Sequence, residues 1–349
     1  MSTPTFSETI SLSNPYTLKE KNLLIHLYEA YPNLKSKPFF RKLKLFRFCL
    51  YAIYLIANIY GLIKLSKKKH FLLNASFDSH IHKDFMVRDT NSQFCSIYFK
   101  AYSSCYEPDV TGAIELFLKN DSVFVDIGAN WGHHSFIAVL NKKSKAVLFE
   151  PNPDVFNDIQ RIASELDVTS AIEAHNMALS DLAGKLLLEQ PYFQSGVASI
   201  SETFSNSRLI TNKQLNKLKK YFKLPSMSYT TEVKTLDSFS FPRIDLIKID
   251  AEGVELEILR GAKETLQRLR PIVIFEFHSD DLSKYTDYEV FFDTLRYSLY
   301  TLECVKVDTL KDSYTLSIFP ARSLIPNHPY NLLAAPVDID FECYRHKSD

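Results

Sequence analysis

With 349 residues, 46% of them hydrophobic and 23% charged, the chain has an ordinary folding composition, with room for a core domain of roughly 230 residues plus an added segment. That composition excludes a disordered or collagen-like chain. The five cysteines are odd in number, widely spaced and without a C-x-x-C pair, which excludes a disulfide framework and a cysteine zinc site.

The formal net charge is zero but uneven. Residues 1–70 hold 12 Lys and Arg against 3 Asp and Glu, which leaves 29 against 38 for the rest. A basic end of this kind suits an anionic surface such as a membrane or a polymer. The acidic remainder points away from nucleic acid as a partner. Within the basic segment, "FCLYAIYLIANIYGLI", residues 48–63, runs without a charge between Lys- and Arg-rich flanks. As a helix it would be about 24 Å long, short against a bilayer core of about 30 Å. It reads as membrane-surface attachment through residues 35–69, as a helix packed on the main domain, or as a true span. Free thiols and the lack of an early apolar run fit a cytoplasmic protein, held on the first reading to the cytoplasmic membrane face.

Residues 71–108 read as lead-in strands and turns, with Phe94–Tyr98 β-rich. In 109–121 the apolar residues recur at 110, 113, 114, 117 and 118, which is helical spacing. From there strands and helices alternate. Val123–Ile127, Ala146–Phe149, Ala171–Ala178, Ile244–Ile249 and Ile272–Phe277 are expected as strands, with Gly184–Glu189 and Thr231–Thr235 added. Helices are expected from about 132, over Pro153–Leu166 and over Val254–Leu269. This alternation predicts an α/β domain at 109–340 with a mostly parallel sheet and helices on both faces. An insertion at about 201–230 carries Lys213, Lys217, Lys219, Lys220 and Lys223. It reads either as cover for an acidic acceptor or as a solvated helical face.

The stretch "SVFVDIGANWGHHSF", residues 122–136, ends an apolar strand on Asp126 and places glycines at 128 and 132. In a parallel sheet, ligands bind beyond such strand ends. Gly128 lets a ligand approach the backbone, and Gly132 permits close packing at the helix start. The third glycine of a dinucleotide loop is missing, which disfavours a nicotinamide dehydrogenase. Glu150 ends the next strand 24 residues after Asp126, where an acid can accept both ribose hydroxyls of a nucleoside. An acid for an amine and an acid for a ribose describe S-adenosylmethionine; the alternative is a plain glycine turn with a capping acid.

Seven blocks, "YEPDVTGAIELFLKNDSVFVDIGANWGHHS", "VLFEPNPDVFNDI", "NMALSD", "VKTLDSF", "IDLIKIDAEGVELEILRGAKETL", "PIVIFEFH" and "YNLLAAP", occur in that order. Together they resemble the FkbM-type methyltransferases, class I methyltransferases that use S-adenosylmethionine, over about residues 105–336. The resemblance implies that Asp126, Gly128, Ala129, Asn130 and Gly132 bind the methionine part. It implies Glu150 for the ribose, with Asn152 lining that side, and Ser180 and Asp181 near the adenine. Trp131, His133 and His134 fill variable positions, and the histidines read as solvated or capping residues at a helix start. The acceptor implied is a small molecule or glycan: a hydroxyl on a sugar, a glycoconjugate or a secondary metabolite. An N- or protein-methyltransferase on the same fold, and a membrane-docked cofactor-binding scaffold, are the alternatives.

"KIDAEGVELEIL" places Asp250 and Glu252 at a strand end, with Asp250 also near the cofactor in such a fold. Glu255 and Glu257 follow in a first helical turn, where carboxylates favour the helix dipole. Glu276 and His278 end the next strand. These titratable side chains make a candidate acceptor site, with His278 favoured as base because His titrates near neutrality. No full metal-ligand set is evident, so no metal is expected.

Overall fold

The computed structural model describes residues 5–12, 16–18, 72–77, 83–88, 105–191, 199–200, 226–278, 283–308, 313–321, 324 and 329–345. The apolar run 48–63, the stretch Phe94–Tyr98 and most of the insertion expected at 201–230 lie outside these residues. Among the described residues, no helix is long and apolar enough to cross a membrane.

Strands β1 (Phe6–Ser11), β2 (Tyr16–Leu18), β3 (Leu72–Phe77) and β4 (Lys83–Arg88) precede helix α1 (Pro108–Phe117). Then come β5 (Val123–Ile127), α2 (His133–Lys142), β6 (Lys145–Phe149), α3 (Pro153–Glu165) and β7 (Ile172–His175). Short strands β8 (Ala178–Leu179) and β10 (Ser199–Ile200) join the longer β9 (Gly184–Pro191) and β11 (Ser226–Lys234) in a separate four-stranded sheet. The chain continues through β12 (Leu246–Ile249), α4 (Glu255–Arg260), α5 (Lys263–Leu269), β13 (Ile272–His278) and α6 (Ser283–Thr294). It ends in β14 (Tyr297–Asp308), β15 (Ser313–Pro320) and β16 (Pro329–Pro336).

The main sheet has nine strands in the order β1-β15-β14-β16-β13-β12-β5-β6-β7. It is parallel from β13 to β7 and antiparallel from β1 to β13. The expected mostly parallel sheet is therefore a mixed one. Its antiparallel half arises because β14 and β15 form a hairpin and β16 returns between β14 and β13. Strand β1, from the basic N-terminal segment, pairs with β15 along the sheet edge, Phe6 opposite Ile318 and Ile10 opposite Tyr314.

The two faces of the sheet carry two cores. One gathers Phe124, Leu246, Ile274 and Leu333 with α1, α2 and α3. The other gathers Val125, Ile127, Ile247, Ile249 and Phe275 with α4, α5 and α6. Strand side chains alternate between faces, and each buried aliphatic or aromatic contributes about 1.5–3 kcal/mol. The same alternation fixes where the polar residues of these strands go. Asp126 follows Phe124 onto the α1–α2 face, and Lys248 follows Leu246 onto it. Glu276 and Asn331 share that face, in step with Ile274 and Leu333.

The single helix expected over Val254–Leu269 is broken into α4 and α5 at Gly261. The cause is a distant cap. The Asp237 carboxylate accepts the Glu264 and Thr265 N–H groups at 3.0 and 2.7 Å, while the Asp237 N–H donates to the Gly261 carbonyl at 3.0 Å. These bonds start a new helix where the old one would have continued.

Candidate active site

The loop after β5 is shaped by backbone conformations that side chains resist. Gly128 has φ 75°, and a Cβ there would fall on the carbonyl oxygen of Asp250. Only glycine lets the ends of β5 and β12 approach so closely. Asn130 is also left-handed, at φ 51°, a conformation that asparagine tolerates. Gly132 caps α2 at φ 90°. The N–H groups of Gly128 and Ala129 donate to the Phe149 carbonyl at 3.0 and 3.2 Å, which ties this loop to the end of β6.

Glu150 locks the two loops together. Its carboxylate accepts the Asn130 N–H and the Asn152 N–H, each at 2.8 Å. It is only 7% exposed, and burial pushes its carboxyl up to about 7 against the pull of those two donors. The Asn176 side chain donates to the Glu150 carbonyl at 2.8 Å. Asn152 also caps α3, its side chain accepting the Asp154 and Val155 N–H groups at 2.9 and 3.4 Å.

Asp126 is almost wholly buried. One carboxylate oxygen accepts the Ser135 hydroxyl at 2.7 Å; the other has no hydrogen-bond partner among the described residues. Burial holds its carboxyl above the usual range, opposed first by Lys248. Lys248 sits beside Asp126 in register and reaches Asp250 at 3.1 Å. Burial works against its charge, but Asp250, Asp126 and Glu107 outweigh this and keep it protonated.

The turn before α1 roofs this stripe of polar side chains. Glu107 adopts a left-handed backbone, φ 39° and ψ 65°, and makes no side-chain cap to its own helix. Its carboxylate lies 3.6 Å from His134 Nε2. Burial pushes Glu107 up to about 7 and, with Asp250 adding to it, only partly yields to Lys248. Burial lowers both α2 histidines, His133 to about 3. His133 and His134 are thus neutral and buried rather than solvated caps, and Trp131 is a core residue stacked 6.1 Å from Phe85 of β4.

The remaining sequence candidates are spread more widely. Asp250 belongs to the stripe, through Lys248, and Glu276 faces Tyr106 from β13. Glu252 lies exposed in a left-handed turn at φ 57°. Glu255 accepts the Ala251 and Gly253 N–H groups at 3.0 and 2.9 Å, so it holds that turn. His278 ends β13, and its side chain is outside the described residues. Ser180 and Asp181 bond to each other at 3.2 Å, and the Ser180 carbonyl lies close against Gly261. Among the described residues no group of three or more His, Cys, Asp and Glu could hold a metal. Lys248, Tyr106, Glu107, Ser135 and Asn331 escape a reading of the sequence. The one available signal is Lys248, a charge inside an apolar strand.

A parallel sheet of order β13-β12-β5-β6-β7, extended by an antiparallel β16 between β13 and β14 and carrying acids at the ends of β5 and β6, defines a class I methyltransferase fold. The chain belongs to the FkbM methyltransferase domain family, whose model matches residues 126–300. It is similar to "Hexuronic acid methyltransferase AglP" of Haloferax volcanii, 27% identical over 175 residues, or 50% of this chain and 63% of that protein. It is also similar to "Methyltransferase 1" of Beauveria bassiana, 29% identical over 152 residues, or 41% of this chain and 59% of that one. The chain thus spans less than two thirds of the length of either relative. A solved FkbM methyltransferase from Methylobacillus flagellatus KT overlays at TM-score 0.36 and 14% identity, over 65% of this chain and 59% of that one.

Proposed function

We propose that the chain transfers the methyl group of S-adenosylmethionine to a hydroxyl of a sugar, glycoconjugate or secondary metabolite. One observation carries the reading: two buried acids at neighbouring strand ends keep acceptor capacity to spare. An ionised carboxylate offers about four acceptor positions. Glu150 spends two on Asn130 and Asn152, which leaves two for the ribose hydroxyls. Asp126 keeps one oxygen unpartnered, suited to the cofactor's amino group. Gly128, Ala129, Asn130 and Gly132 would border the methionine part, Asn152 the ribose side, and Ser180 and Asp181 the adenine edge.

When bound, the cofactor supplies an electrophilic methyl on a positive sulfur. The excess of carboxylates around Lys248 favours such a cation. The protein's own task is to hold an acceptor oxygen in line with that methyl. Lys248, Asp250, Glu276 and Asn331 give hydroxyl groups donors and acceptors to bond. The name of the Haloferax volcanii relative supports a hexuronic acid among the acceptors. Attachment of residues 35–69 to an anionic membrane surface rests on their charge alone.

Titration calorimetry with S-adenosylhomocysteine should give saturable binding. Methyl-labelled S-adenosylmethionine should then label hydroxyls of hexose or hexuronic acid glycosides. Folded protein that gives no binding heat ends the cofactor reading. Label appearing only on amines or on protein would replace the acceptor class.

A further inference from the structure

We infer that Glu107 is the group that takes the proton from the acceptor hydroxyl. This rests on the methyl-transfer reading and names a residue that reading does not need. The first observation is backbone geometry. Glu107 is a non-glycine residue in the left-handed region, at φ 39°. Such strain persists only where the surroundings enforce it, and it gathers at functional sites. The surroundings do enforce it here. The Glu107 carbonyl accepts the Thr111 N–H at 2.9 Å, and the Thr111 hydroxyl bonds the Tyr106 carbonyl at 3.0 Å. Asn331 of β16 holds Asp109 at 2.9 Å, so the first turn of α1 is pinned to the sheet.

The second observation is where the carboxylate goes. Glu107 makes no cap to its own helix; its carboxylate turns largely inward, 3.6 Å from the neutral His134 and towards Lys248 and Asp250. Its side chain is 27% exposed, which leaves one edge for a ligand or for proton exchange with solvent.

The third is a comparison with the other carboxylates. Asp250 is committed to Lys248 in an ion pair at 3.1 Å. Asp126 lies deeper, with one oxygen spent on Ser135. Glu107 takes a hydrogen bond from the Tyr106 hydroxyl, but among the described residues the one group at ion-pair distance is the uncharged His134 imidazole, and burial pushes the glutamate up to about 7.

The step balances. The acceptor O–H bond breaks and its proton goes to the Glu107 carboxylate. The freed oxygen pair forms the O–CH3 bond while the C–S bond breaks and its electrons neutralise the sulfonium. The proton then leaves Glu107 through the exposed edge. The groups facing Glu107 and setting its titration are Tyr106 and Asp109 from its own turn, His134 from α2, and Lys248 and Asp250 from β12 and the residue after it.

The test compares the full-length wild type with Glu107→Gln. S-Adenosylhomocysteine affinity is read by calorimetry, and methyl transfer to methyl glucuronide and methyl galacturonide is read from pH 5.5 to 9. General-base removal costs about 100- to 10,000-fold in rate. Product affinity should therefore stay within about threefold while kcat falls at least about 100-fold, and the acid limb of the wild-type pH profile should vanish. Glu107→Asp should recover part of kcat. Equal turnover in wild type and Glu107→Gln would overturn the role while leaving methyl transfer intact. So would an equal loss of affinity and rate, or an unaltered pH limb. A wild type that binds the product yet transfers to neither glycoside would overturn the acceptor class and the role together. A wild type that does not bind the product would remove the cofactor reading itself.

Discussion

Replacing Lys248 with Met should destabilise the protein strongly, and in a pH-dependent way. Lys248 is 4% exposed and is the cation that Asp250, Asp126 and Glu107 share. Methionine fills a similar volume, so the core keeps its packing, but the carboxylates lose their counter-charge. Removing one partner of a buried ion pair costs about 3–5 kcal/mol. At roughly 2–4 °C per kcal/mol for a domain of this size class, the melting temperature should fall by about 6–20 °C. The sign of the pH effect follows from the same charges. In the variant, the buried Asp126 loses the cation that opposes its raised carboxyl, so it gains stability by protonating and its folded-state pKa rises further. The stability deficit should then be largest above neutrality and shrink as the pH falls towards 5. Lys248 itself stays charged over that range in the wild type. Adding Asp250→Asn to Lys248→Met should recover part of the loss, since deleting both partners costs less than deleting one. Urea denaturation at pH 5, 7 and 8.5 reads all three. A deficit under about 1 kcal/mol at pH 8.5, or the same deficit at pH 5 and 8.5, would refute the shared-cation account.

Gly128→Ala should keep the fold but lower the rate of methyl transfer about 100-fold. Its Cβ collides with the Asp250 carbonyl in a left-handed backbone, and displacements near 1 Å cost about 100-fold in rate at a preorganised site; a rate within threefold of wild type would contradict it. Asp237→Ala should lower stability by about 0.5–2 kcal/mol through loss of the α5 cap, with turnover unchanged, as read by urea denaturation and methyl transfer. Glu150 has its carboxyl raised to about 7 from 4.5. It therefore contributes stability fully present below about pH 4.5 that is lost as pH rises through about 7. Between pH 5 and 7.5 the unliganded wild type should lose on the order of 2–3 kcal/mol more than Glu150→Gln, and parallel pH curves for the two would count against the raised carboxyl.

What the sequence disclosed, and what it hid, divides by how far each residue's partner lies along the chain. The strand Val123–Ile127 is legible because four of its five residues are apolar and the lone acid comes before the glycines. Glu150 is legible because the end of one parallel strand implies the ends of its neighbours. The break between α4 and α5 is not legible: local periodicity runs on through Gly261, and the cap that stops it is Asp237, more than twenty positions upstream. Strand β1 is hidden for the same reason, since its partner Ile318 is some three hundred residues away.

The acceptor side of the site is a sharper case, because its residues are visible but their direction is not. In sequence, Lys248 is an interruption in an apolar strand, and Asn331 is a polar residue before "LLAAP". Only the register sets Lys248 beside Asp126 and Asn331 beside Glu276. Only the face assignment of Phe124, Leu246, Ile274 and Leu333 turns all four polar groups under α1. A charge tolerated at that depth needs a partner on the same face, and such a face is costly to build without a use. A polar residue in phase with the core residues of several adjoining strands is therefore a stronger mark of a site than an acid at a single strand end. Glu107 completes the pattern from above. Its place before a proline marks a turn, but nothing local says that the carboxylate turns away from the helix it precedes. That orientation comes from the contacts of Thr111 and Asn331 with its neighbours. The chemistry proposed for Glu107 accordingly depends on the docking of α1 across the sheet as much as on the identity of the glutamate.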